Sequence, residues 1–73
     1  RIPMFSEKIR ILRKETGLTQ MGASEKIGIS WRTYQDLEAG KKPSYDTMLK
    51  IADYFNVSVD WLMGRTENRK VQP

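Results

Sequence analysis

The stretch that decides the fold is QMGASEKIGISWRTYQDLEAG, from Gln20 to Gly40. It contains two short segments with apolar residues at helical spacing, and Gly28 between them tolerates the positive φ of a tight turn. Ser24 supplies a small residue where the backbones of two crossing helices approach each other. The apolar residues on the inside of both helices are Ala23, Ile27, Ile29, Tyr34 and Leu37. The stretch therefore predicts two helices that cross near a right angle.

The second of these helices has one apolar side and one polar side. At about 100° per residue, with Ser30 at zero, Tyr34 falls near 40° and Leu37 near 340°, so both point inward. The polar side and its flanks contain Trp31, Arg32, Thr33, Gln35 and Asp36. The major groove of B-DNA admits such a helix, and its base edges offer hydrogen-bond donors and acceptors to these side chains. The pattern indicates a helix-turn-helix that reads duplex DNA.

Helix caps and stop residues mark three further helices around this pair. The five predicted helices cover residues 6–16, 20–27, 31–39, 45–55 and 59–63. No segment shows sustained period-2 alternation and every connection is short, so we predict an all-α fold, a compact five-helix bundle. We expect residues 1–64 to form the domain and residues 65–73 to form a polar, flexible tail.

The composition argues against a catalytic function and in favour of a binding function. The 73 residues include no Cys and no His, which excludes disulfides and thiolate metal sites and removes the commonest general base. The acids are spread singly along the helices, so we expect no enzyme, no metal, no cofactor and no small-molecule ligand. No apolar run approaches the roughly 18 residues of a membrane span and no signal-peptide pattern opens the chain, so we expect a cytoplasmic protein with no membrane partner.

The net charge of +4 is unevenly distributed. Residues 1–42 carry nine Lys or Arg against five acids, whereas residues 43–73 carry four of each. An excess of positive charge in the part that holds the predicted helix-turn-helix suits a polyanionic partner. The alternative is an ordinary solvated basic surface.

Four motifs in the chain occur together at a characteristic mutual spacing. They are LRKETGLTQ (Leu12–Gln20), EKIGIS (Glu25–Ser30), LEAGKKPS (Leu37–Ser44) and LKIADYFNVSVDWLMG (Leu49–Gly64). On these motifs the chain resembles the lambda-repressor and Cro type of helix-turn-helix domains, often called Xre-type regulators, over about residues 5–64. The resemblance implies a five-helix bundle that often dimerises on palindromic DNA.

Two residues of the second helix depart from that family pattern. Gly22 stands where the family usually has an acid, and Ala23 stands where it usually has Leu. The missing capping box and the smaller core predict a loosely held second helix, unless Met21 or Trp31 folds in to fill the space.

The outward residues of the third helix are candidates for reading bases. Arg32 can bind guanine O6 and N7, or it can simply pair with Asp36 one turn on. Gln35 suits adenine. Asp36 can accept from cytosine N4, exclude wrong sequences, or only orient Arg32. Trp31 can lie against a thymine methyl or a sugar, or pack over the thin core near Ala23.

Phosphate contacts are expected around the rim of this helix. The hydroxyls and backbone of its first turn, at Ser30 and Thr33, suit phosphate better than bases. In similar domains the position of Gln20, at the start of the second helix, commonly clamps the DNA backbone, and free N–H groups there suit an anion. Lys41 and Lys42 follow the third helix, where they either meet a strand or belong to an ordinary solvated loop.

Two further groups of residues have structural roles in the prediction. Similar domains often pair an Arg of the first helix with a Glu near the end of the recognition helix, and Arg13 and Glu38 fit that pattern. Val59, Trp61 and Met63 form either a dimer patch or part of the core.

The leading functional hypothesis is a sequence-specific transcriptional regulator that binds double-stranded DNA as a homodimer on a palindromic operator. Repression is favoured over activation, because blocking a promoter needs no additional surface. The alternative on the same fold is an antitoxin or protein-interaction adaptor, which Trp31 favours and the net charge of +4 disfavours.

Overall fold

Five helices account for most of the chain in the computed structural model, which describes residues 4–71. They are α1 (Phe5–Glu15), α2 (Gln20–Ile27), α3 (Trp31–Glu38), α4 (Tyr45–Phe55) and α5 (Val59–Leu62). Between residues 4 and 71 there is no β-strand, so the all-α, five-helix fold is confirmed. The first three residues of the predicted domain 1–64 and the last two of the predicted tail 65–73 lie outside the described residues.

Side-chain caps fix where the helices begin. The hydroxyl oxygens of Thr19, Ser30, Ser44 and Ser58 each accept a hydrogen bond from the backbone N–H three residues on, at 2.9 to 3.3 Å. Each such cap contributes about 1 kcal/mol by satisfying an otherwise unpaired donor of the first turn. At the other end, Gly28 (φ 92°) stops α2 and Asn56 (φ 54°) stops α4, both in the left-handed region. These local signals are the ones that the sequence displayed.

A single core joins all five helices. Its buried apolar residues are Ile9, Leu12, Ala23, Ile27, Tyr34, Leu37, Ile51, Ala52, Val57 and Leu62. The apolar side chains that pack around it half-buried are Phe5, Leu18, Ile29, Met48, Phe55, Val59 and Trp61. The helix α3 packs against both α2 and α1, so its inward side is covered and its outward side stays open.

The core position of α2 is enclosed, and the two residues considered as fillers stay partly exposed. Ala23 is fully buried, whereas Met21 is 49% exposed and Trp31 is 46% exposed. Ser24 is also buried, and its hydroxyl donates to the carbonyl of Met21 at 2.7 Å. Met21 and Trp31 thus each keep about half of their surface exposed and do not enter the core, whereas Ala23 itself is enclosed.

The segment after α5, which we call the C-terminal strap (residues 65–71), returns to the domain. The backbone N–H of Ser58 donates to the carbonyl of Arg69 at 2.9 Å. The Arg69 guanidinium donates to the Glu15 carboxylate of α1 at 2.8 Å and lies over the Trp61 ring, 5.2 Å from its centroid. Part of the segment expected to be a flexible tail thus contacts both α1 and α5.

Candidate nucleic-acid interface

The first turn of α3 is held by two hydroxyl groups that bind each other. The Ser30 hydroxyl accepts from the backbone N–H of Thr33 at 3.0 Å and donates to the Thr33 hydroxyl at 2.8 Å. Both residues are exposed at the helix N-terminus. The pair sets the start of α3, so Trp31 is its first helical residue, and the Thr33 hydroxyl hydrogen is left to donate outward.

The outward side of α3 is exposed to different degrees along its length. The Arg32 side chain is 85% exposed and Trp31 is 46% exposed, whereas Gln35 and Asp36 are half-buried. Arg32 Nε lies 3.5 Å from the Asp36 carboxylate one turn on. Such an exposed pair adds little to stability, and Arg32 is therefore able to exchange Asp36 for another acceptor at low cost.

A polar groove of about 450 Å³ runs between the end of α3 and the start of α4. Its lining comprises Thr33, Asp36, Leu37, Lys41, Lys42, Pro43, Ser44 and Thr47. The backbone N–H of Lys41 donates to the carbonyl of Asp36 at 2.9 Å, which turns the chain back alongside α3. This turn places the exposed side chains of Lys41 and Lys42 beside the outward side of α3.

A buried carboxylate, Glu38, anchors the last turn of α3. Arg13 of α1 binds it with two parallel hydrogen bonds, at 2.7 Å from Nε and 3.2 Å from Nη2. The Tyr34 hydroxyl donates to it at 2.6 Å, and the Gln20 amide of α2 donates at 3.0 Å. We call these four residues the Glu38 network. It links α3 to α1 and α2 at once.

The Glu38 network keeps its carboxylate charged. Burial of Glu38 opposes ionisation, but hydrogen bonds from Arg13, Tyr34 and Gln20 outweigh it and hold the pKa of Glu38 at about 2, below the ordinary 4.5. Burial, followed by the hydrogen bond to Glu38, raises the pKa of the Tyr34 hydroxyl, so that Tyr34 remains a donor. Within residues 4–71 no buried side-chain nitrogen or oxygen lacks a hydrogen-bond partner.

The structure gives two residues roles that the sequence did not indicate. The Gln20 amide nitrogen, predicted to face a phosphate, donates a hydrogen bond to Glu38 in this structure. Arg10 Nη2 donates to the Glu38 backbone carbonyl at 3.2 Å, and its Nε lies 3.6 Å from the carboxylate. The sequence spacing could have indicated the role of Arg10, because Arg10 precedes Arg13 by three residues and shares its side of α1. Tyr34 precedes Glu38 by four residues and therefore lies on the same side of α3.

The three residues considered either as a dimer patch or as part of the core differ in exposure. Met63 is 57% exposed, but Val59 and Trp61 pack against the core. Two cations lie over the Trp61 ring, with Lys8 Nζ 5.0 Å and the Arg69 guanidinium 5.2 Å from its centroid. Lys8, itself buried, also donates from Nζ to the Trp61 carbonyl. Trp61 thus joins α5 to α1 and to the C-terminal strap.

Among residues 4–71, no helix has the length and apolar character needed to cross a membrane. The same residues contain no group of three or more acids that could bind a metal ion.

Known proteins that resemble this chain are regulators. A family model described as helix-turn-helix matches residues 9–62. The uncharacterized HTH-type transcriptional regulator YqaE of Bacillus subtilis is 38% identical over 69 residues, which cover 93% of this chain and 60% of that protein. The cryptic phage CTXphi transcriptional repressor RstR of Vibrio cholerae is 37% identical over 62 residues, covering 84% of this chain and 55% of RstR.

A solved structure has the same fold. The crystal structure of a transcriptional regulator from Listeria innocua superposes with a TM-score of 0.75 at 30% identity, covering 94% of this chain and 64% of that one. This chain spans about 60% of the length of the curated relative YqaE. The resemblance to helix-turn-helix regulators inferred from the sequence motifs is confirmed by these matches.

Proposed function

The chain belongs to the helix-turn-helix family, and we propose that it is the DNA-binding part of a sequence-specific transcriptional repressor. It would act by occupying an operator in the cytoplasm rather than by catalysis. The observation that supports this function best is the outward side of α3. That side is open, polar and held in place by the Glu38 network, as a helix that enters the major groove must be.

Base readout is assigned to the outward residues of α3. Arg32 presents a planar fork that suits guanine O6 and N7, a contact that discriminates against other bases by about 1–3 kcal/mol. Asp36, at 3.5 Å, restricts the directions that the fork samples. Gln35 reaches an adenine from its half-buried position. Trp31, the first residue of the helix, contacts the major groove of the DNA.

Phosphate contacts are assigned to the groups around α3. Lys41 and Lys42 are exposed beside the groove, and Ser30 and Thr33 present hydroxyls at the helix N-terminus. Because the Gln20 amide nitrogen binds Glu38, we assign the phosphate contact at α2 to the backbone N–H groups of its first turn. These contacts supply affinity that is independent of sequence and falls with salt.

We further propose that the full protein is a homodimer on a palindromic operator, with half-sites about one helical turn apart. The exposed Met63 beside α5 is the residue of the predicted patch that is free to meet a second copy. Repression is supported by the name of RstR, a phage transcriptional repressor that is 37% identical to this chain.

The test is selection of bound duplexes from a randomised DNA pool at near-physiological salt. We expect an enriched palindromic motif, and Arg32→Ala should relax the preference at one position in each half-site. The matched control is Arg65→Ala, because Arg65 is 71% exposed and its Nε lies 3.6 Å from Asp60, much as Arg32 lies 3.5 Å from Asp36. An equal effect of both variants would contradict readout by Arg32.

A second function is favoured by one observation, the exposure of Trp31 and Met21. Apolar side chains on the outside of α2 and α3 suit an antitoxin or adaptor that binds another protein. In the selection experiment, this function would give no enriched motif and only weak binding that disappears as salt rises.

A further inference from the structure

Trp31 is one of the large apolar side chains that stay exposed among the described residues. It is 46% exposed and lies outside the set of half-buried apolar side chains that pack on the core. Single exposed apolar side chains are common on protein surfaces, so it is the place of Trp31, at the start of α3, that indicates a contact with something outside the domain.

The place of Trp31 decides what that contact is. It is the first helical residue of α3, next to Arg32, whose side chain is 85% exposed. In a helix-turn-helix, the N-terminal residues of the recognition helix are the ones that meet base edges. If the proposed function holds, the surface opposite Trp31 is therefore the major groove.

The chemistry of the indole limits which base Trp31 can select. Trp offers an apolar ring and one N–H donor, and it has no acceptor. The major groove displays one apolar group, the C5-methyl of thymine, and the neighbouring O4 of the same base is an acceptor. We infer that Trp31 selects a thymine in each half-site through its C5-methyl group. The inference rests on the proposed function and specifies one base that the site reads.

The experiment uses the operator recovered by selection and the protein with and without Trp31→Ala. Each thymine is replaced in turn by deoxyuridine, which removes only the methyl group. At one thymine per half-site we expect the wild-type affinity to fall about 4-fold, the effect of exposing one buried methyl. Changing that thymine in both half-sites should lower it about 15-fold. The Trp31→Ala protein should bind both duplexes equally at that position.

A second measurement separates a methyl contact from a general loss of fit. Replacing the chosen thymine pair by a cytosine pair should weaken binding, and 5-methylcytosine there should restore part of the wild-type affinity but none in Trp31→Ala. The matched control protein is Met21→Ala, because Met21 is similarly exposed, at 49%, but lies on α2. Its deoxyuridine profile should coincide with that of the wild type. Circular dichroism should show that both variants keep the helical fold.

The outcomes distinguish this inference from the function on which it rests. Deoxyuridine profiles that coincide for wild type and Trp31→Ala would overturn the role of Trp31 while leaving a sequence-specific regulator intact. A wild-type protein that enriches no motif would overturn the proposed function, and the inference with it.

Discussion

Replacing Glu38 by Gln removes the charge at the centre of the Glu38 network while keeping the shape of the side chain. The side chain is 4% exposed, so water does not replace the lost interaction. Its amide also brings an N–H donor towards Arg13, Tyr34 and Gln20, which all donate to the carboxylate in the native protein. We expect a folded but strongly destabilised domain.

The magnitude follows from the pKa of Glu38. A pKa of about 2 in the folded protein, against the ordinary 4.5, corresponds to on the order of 3 kcal/mol of folding free energy at neutral pH. A domain of 73 residues has roughly 4–11 kcal/mol in total, so this is a large share. Each kcal/mol changes the melting temperature by about 4–8 °C at this size, which predicts a fall of about 12–24 °C.

The pH dependence gives the sharper test, and its sign is fixed by the direction of the pKa change. Because the folded-state pKa of Glu38 is lowered, its contribution is present in full above the unfolded pKa of 4.5. It is lost as the pH falls from 4.5 towards about 2, where the wild-type carboxyl becomes protonated and resembles the Gln amide. The stabilities of wild type and Glu38→Gln should therefore converge in acid.

The assay is urea unfolding of both proteins, followed by circular dichroism from neutral pH to about pH 2. Glu25→Gln is the matched control, because Glu25 is an exposed acid on α2, and it should change stability by no more than about 0.5 kcal/mol. The reasoning fails if Glu38→Gln costs no more than this control at neutral pH. It also fails if the gap to wild type stays constant as the pH falls.

Three further predictions concern the pair of Arg13 and Glu38, the contact of Arg69 with Trp61, and the two exposed lysines after α3. In a double-mutant cycle, Arg13→Ala and Glu38→Ala should each lower the free energy of unfolding by about 3 kcal/mol. The double variant should lose at least about 1 kcal/mol less than the sum of the two single losses, and additive losses would refute a coupled pair. A Trp31→Phe background leaves Trp61 as the only tryptophan. In this background, Arg69→Ala should shift the fluorescence emission of Trp61 and lower the free energy of unfolding by the cation–π contribution of about 0.5–1 kcal/mol. The control Arg65→Ala should leave the emission unchanged. Lys41→Ala and Lys42→Ala should each weaken DNA binding equally on all sequences and reduce the salt slope by about 0.9 per half-site, or about 1.8 for a dimer on both half-sites, and an unchanged slope would exclude a phosphate contact.

Local signals explain why so much of the fold was predictable. The four hydroxyl caps and the stop residues Gly28 and Asn56 act within one turn of the residues that they organise, so the sequence displays both partners together. The inward side of α3, with Tyr34 and Leu37, follows from helical periodicity alone. These features determine where each helix lies along the chain and which side of it is buried.

Contacts between distant residues were out of reach of the same reasoning. The pair of Arg13 and Glu38 came from resemblance to related domains, since the two residues are 25 positions apart. Nothing in the sequence shows that Gln20 turns inward to Glu38 or that Arg69 reaches Glu15 across 54 positions. In each case an exposed or a paired conformation satisfies the local rules equally well, and only the packed domain selects one.

The structure divides α3 into an inward side that packs on the domain and an outward side that we propose reads DNA. An isolated helix of eight residues is not stable in water, so α3 depends on what its inward side contacts. Tyr34 and Leu37 supply apolar burial, and Glu38 supplies a charge that three donors from α1, α2 and α3 compensate. Because these contacts hold the helix, Trp31, Arg32 and Gln35 contribute little to stability. Their identities are therefore free to match a DNA sequence.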